Sequence, residues 1–93
     1  MIEKTHKTLG IELQAKELSQ GLLEAYLIEM AGKNQMAIGR YYGEVVRAAI
    51  KCGWLIKPEW TLEDVPEQKP TAVRWVAEQL DRAYGEATTV PPE

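Results

Sequence analysis

The chain has 93 residues, 45% hydrophobic and 27% charged, an ordinary globular balance that leaves room for one domain and excludes wholesale disorder. Its formal net charge of −3 is uneven: residues 1–53 carry seven Lys/Arg and six Asp/Glu, residues 54–93 four and eight, so the whole chain does not offer the concentrated basic surface that nonspecific duplex binding needs. One Cys and one His exclude an internal disulfide framework and a zinc site of usual ligand count.

Residues 1–18 begin polar and then alternate, with Ile11, Leu13 and Ala15 separated by Glu12, Gln14 and Lys16. Period two points to a short strand or extended arm, and a helix is the competing reading because these are good helix formers. The opening MIEKTHKTLG lacks the basic, apolar, small-residue order of a signal peptide. No apolar run reaches the ~18 residues of a membrane span, so a cytoplasmic location is expected.

Ser19 suits the N-cap of a helix near 20–31, whose stripe is Leu22, Leu23, Tyr26, Leu27 and Met30 and whose C′ residue is Gly32. Asn34 is expected to cap a second helix running to about Cys52 and closed by Gly53. Its stripe is Ile38, Tyr42, Val45 and Ala49, widened by Tyr41, Ala48 and Cys52. Inside it, Gly39 and Gly43 each cost up to ~1 kcal/mol relative to Ala. Four residues apart, they share a side, and close approach of another backbone would explain them. A neighbouring element of the fold is the favoured source of that backbone, a partner the alternative. Arg40, Arg47 and Lys51 also share a face, interrupted by Glu44. A mixed-charge face that is solvated or meets an acidic protein is preferred there over a nucleic-acid stripe.

The prolines at 58, 66 and 70 break up residues 54–70 and argue for an ordered connector pinned by Trp54, Leu55 and Trp60. Thr61 with Asp64 can start one short turn. Tryptophan is enriched at interface hot spots, and Trp54 and Trp60 join Gly39, Gly43, Arg40, Arg47 and Lys51 as candidate partner-binding residues. Pro70 opens the clearest helix, about 70–86, with Val73, Val76, Ala77, Leu80 and Tyr84 as its buried stripe. Arg74, Glu78 and Arg82 form a ladder of alternating sign opposite. Residues 87–93 should be a flexible tail.

The fold expected is mainly α: a compact three-helix domain with residues 19–86 as its body. Chemistry is hard to build from this inventory. His6 reads as a solvated terminal residue, Cys52 as a small buried hydrophobe, and Glu63, Asp64 and Glu67 as a solvated acidic loop. No catalytic residue, metal or cofactor is expected, nor a small-molecule substrate or a membrane; the protein reads as a binder rather than an enzyme.

The runs VVRAAIKCGWL and VPEQKPTAVRWVAEQLDRAYGEATTVPPE resemble small proteins of tailed-phage and prophage structural gene clusters, and among them tail assembly chaperones. The resemblance covers about 45 residues, Val45 to Trp54 and Pro70 to Glu93, and rests on spaced apolar and aromatic positions. It implies a helical assembly factor in the host cytoplasm that binds tape-measure or tail-tube subunits, while small size, incomplete burial and tryptophans outside the main stripes point to self-association or capture of a helical partner. It assigns a role to no single residue. A small nucleic-acid-associated subunit, or an accessory or inhibitor protein of a mobile element, is the alternative.

Overall fold

A computed structural model of the protein describes residues 1–33 and 35–91. In chain order it has β1 (Ile2–His6), β2 (Ile11–Ala15), α1 (Gln20–Met30), α2 (Ile38–Lys51), β3 (Leu55–Lys57), a 3-10 turn (Val65–Glu67) and α3 (Pro70–Thr88). The mainly-α expectation is therefore corrected to α+β: three helices and one three-stranded antiparallel sheet, ordered β1-β2-β3, among the described residues. The N-terminal arm is a hairpin rather than a free extension. Residues 7–10 turn the chain, with Gly10 at φ +66° and its N–H donating to the Lys7 carbonyl at 3.2 Å. Glycine takes that left-handed conformation without the clash a Cβ brings.

β2 is the central strand. Its register sets Ile2 against Ala15 and Lys4 against Leu13 on one side, and Gln14 against Lys57 on the other, with a bulge at Gln14/Ala15. Leu13 and Ala15 turn inward and join Tyr26 of α1, Val45, Val46, Ala48 and Ala49 of α2, and Val73, Val76, Ala77 and Leu80 of α3. One apolar face of the sheet thus closes on helices, the ordinary two-layer solution for a short chain. The Cα radius of gyration, 12.9 Å, fits a single packed unit.

Helix boundaries follow local chemistry. Ser19 caps α1, its Oγ accepting the Leu22 N–H at 3.2 Å, and Gly32 lies at φ +76°. Asn34 falls outside the described residues; α2 starts at Ile38, with Ala37 at the N-cap and no side-chain cap. Ile38 is 68% exposed and does not begin the core stripe, which starts later and includes Val46. The C-terminus of α2 is closed by a paired motif at Gly53 (φ +81°). The Gly53 N–H donates to Ile50 and the Trp54 N–H to Ala49, satisfying two otherwise orphaned carbonyls.

The connector does hold the expected short turn. The Thr61 N–H donates to Asp64 Oδ2 at 2.8 Å, and the Asp64 N–H donates back to Thr61 Oγ1 at 3.3 Å, ahead of the 3-10 turn. α3 runs two residues past its expected end, where Thr88 and Thr89 hydroxyls donate to the Tyr84 and Gly85 carbonyls. No described helix is long and apolar enough to cross a membrane.

His6 is another correction. It ends β1 half-buried, its ring edge-on to Trp75 at 5.4 Å and its Nδ1 accepting the Leu9 N–H at 3.1 Å. It stabilises the hairpin turn instead of lying free in solvent.

Candidate functional site

Four of the seven candidate residues converge. Gly39, Arg40, Gly43 and Arg47 line one groove of about 660 Å³, walled by the first half of α2, the 3-10 turn and the start of α3. Its apolar surface comes from Ile38, Tyr42, Val65, Pro66 and Val73, and Arg74 stands on the α3 side. The groove arises because Pro70 starts α3 directly after the connector, while the 3-10 turn packs Val65 into the core beside α2.

The glycines explain why there is a hollow. A Cβ on Gly39 would meet nothing within 4 Å, and one on Gly43 would meet only the Arg47 side chain, at 3.2 Å from Nη1. The favoured expectation, that a neighbouring backbone of the fold presses against them, is therefore corrected. Gly39 is exposed and faces open space, whereas Gly43 is buried with the Arg47 guanidinium lying over it.

The groove's charge is distributed as follows. Three arginines face a single carboxylate, Glu44, among the lining residues. Glu44 is shared between Arg47 at 3.3 Å and Lys33 at 3.2 Å, with its side chain only 15% exposed. The Arg74 guanidinium lies 5.5 Å from the Tyr42 ring centroid, within cation–π range, and pairs along its own helix with Glu78 at 3.4 Å. Arg40 is exposed and forms no ion pair among the described residues. On a chain of net charge −3, this is a locally cationic hollow with an apolar floor.

The other three candidates lie elsewhere. Lys51, on the same side of α2 by helical spacing, sits 3.9 Å from Glu29 of α1 and does not line the groove. Trp60 is half-buried in a separate, shallower depression of about 850 Å³ with Pro58, Leu9 and Gly10; Gln68 lines both hollows. Trp54 is corrected outright as a partner-binding residue. It is 0% exposed, edge-on to Tyr26 at 5.1 Å, with its indole N–H donating to the Lys16 carbonyl at 2.9 Å. It anchors the exit of α2 to the end of β2 and presents nothing to solvent.

Residue-level reading of the sequence missed Arg74 and the proline-lined wall, because their approach to α2 is set by the connector's path. It also missed Asp81. This carboxyl is half-buried, accepts the Tyr41 hydroxyl at 3.2 Å, and is held above the usual carboxylate range, chiefly by desolvation. Burial together with Asp81 pushes the Tyr41 phenol up to about 12. Burial raises the Cys52 thiol too, which keeps it protonated and poorly nucleophilic. Comparison with protein-family models, with curated proteins and with solved structures finds no match to the chain, and the reading of these surfaces rests on their own geometry.

Proposed function

We propose that the protein is a non-catalytic binding module that takes an acidic segment of a partner protein into the groove between α2 and α3. The observation that supports this most is Gly39, which lines the groove exposed, with nothing within 4 Å of where a Cβ would stand. A partner main chain laid over Gly39 reaches the helix closely, as only glycine permits. Its acidic side chains then meet Arg40, Arg47 and Arg74, and apolar ones meet Tyr42, Val65 and Val73. Arginine favours such contacts because its planar fork matches a carboxylate. A role in phage tail assembly is the specific form of this reading; it rests on the pattern in residues 45–54 and 70–93 and names tape-measure or tail-tube segments as the bound chain.

A photo-crosslinking residue in place of Arg40, with one in place of Glu3 on β1 as control, tests this in the native host. The expected result is one discrete protein adduct at position 40 that is lost when Gly43→Leu fills the groove while the fold is retained by circular dichroism. Adducts equal at both positions, or unaffected by Gly43→Leu, would sink the proposal. The cationic lining also supports a nucleic-acid reading. Oligonucleotide binding that weakens linearly in log–log salt plots and is lost in Arg40→Ala would replace the first reading with the second.

A further inference from the structure

On the other side of α2, α1 and α3 diverge to leave a cleft of about 350 Å³ lined by Tyr26, Tyr41, Tyr84, Asp81, Leu27 and Met30. The Tyr26 and Tyr84 rings stand 6.0 Å apart at 51°, and Asp81 is half-buried. Its Oδ1 accepts the Tyr41 hydroxyl, and Oδ2 has no hydrogen-bond donor among the described residues. No described cation forms an ion pair with it. A carboxylate partly withdrawn from water beside three aromatic rings, with no positive charge of its own, is an arrangement that attracts a cation from outside.

The shape narrows which cation. A guanidinium binds best across both carboxylate oxygens, but one here already serves Tyr41; a compact ammonium needs one. The cleft is too poor in carboxylates for a metal ion: among the described residues no three His, Cys, Asp or Glu side chains group together. Beside it α1 leaves two large apolar side chains in solvent, Leu27 at 44% and Ile28 at 73% exposed. Its only charged residues are Glu24 and Glu29.

We infer that the Tyr26–Tyr41–Tyr84–Asp81 cleft receives a lysine side chain carried on an apolar segment of a partner protein, the ammonium meeting Asp81 Oδ2 and the flanking apolar residues covering Leu27 and Ile28. A second copy of this chain does not fit as the occupant through α1 itself, because Glu24 and Glu29 would then meet their own counterparts. The site is separate from the cationic groove and selects the opposite charge.

The test uses the full chain and an alanine–leucine helical peptide with one central lysine, its norleucine counterpart, and free n-butylammonium, read by calorimetry and by ring-proton shifts of Tyr26 and Tyr84. The lysine peptide should bind at least ~10-fold more tightly than the norleucine peptide, and that ratio should collapse toward one in Asp81→Asn. Norleucine is nearly isosteric with lysine, so its comparison on the unaltered protein does not depend on any variant folding. Equal binding of the two peptides, or a ratio unchanged in Asp81→Asn, overturns the inference. Butylammonium binding as tightly as the lysine peptide overturns the peptide source, since the apolar face would then contribute nothing.

Discussion

Trp54 shows how one side chain can be misread by type and understood by partner. Tryptophan is a common interface residue, yet Trp54 acts as the connector's pin, its indole N–H donating at 2.9 Å to the Lys16 carbonyl, 38 positions earlier in the chain. The return bond, Lys16 N–H to the Trp54 carbonyl at 3.0 Å, fixes the same two segments. Nothing local in residues 53–55 announces that pairing, because it depends on the hairpin folding back. Trp54→Phe keeps most of the apolar volume but removes the hydrogen bond to the Lys16 carbonyl and leaves a gap. The expected loss is ~2–3 kcal/mol of unfolding free energy, seen as a lower urea midpoint at unchanged slope. A loss under about 0.5 kcal/mol would mean that the Lys16 bond is energetically idle.

At the scale of elements, helices were legible and the sheet was only half so. Residues 70–80 repeat their apolar positions every three or four residues, and Val73, Val76, Ala77 and Leu80 are the ones buried. Residues 11–15 alternate and do form a strand, but IEKTH does not advertise one, since polar Lys4 and His6 stand opposite Leu13 and Ile11 where apolar residues would mark the alternation. β3 is three residues long, below the length at which period two can be read. The groove was legible through its glycines, and their intramolecular explanation failed for want of any nearby backbone. That failure has a measurable counterpart. Gly39→Ala adds a Cβ with nothing within 4 Å and restricts the unfolded chain, so stability should rise by about 0.5–1 kcal/mol in thermal melts. The same methyl group should weaken capture at the groove. Stabilisation together with undiminished cross-linking at position 40 would show that the hollow is not where the partner lies.

For the molecule as a whole, an open three-stranded sheet raises the question of what its two edges can accept. β1 and β3 are the edges, and unpaired edges invite pairing with another chain. β3 stops after Lys57 and runs into Pro58, which has no N–H to donate. β1 is guarded differently. Lys4 lies opposite Leu13 and shares that residue's face of the sheet, yet stays exposed at the middle of the edge strand, where a charge makes the burial that an added strand would bring unfavourable. Antiparallel pairing of two β1 strands centred there would also set Lys4 against Lys4, a repulsive cross-strand pair. Self-association by edge-strand pairing is thus disfavoured at both ends of the sheet. Lys4→Val removes the guard and makes the edge apolar at positions 2 and 4. Light scattering across a concentration series should then show the variant associating at concentrations where the parent does not, with amide exchange slowed along residues 2–6. Identical behaviour of parent and variant would mean that the hairpin edge is closed by something other than the Lys4 charge.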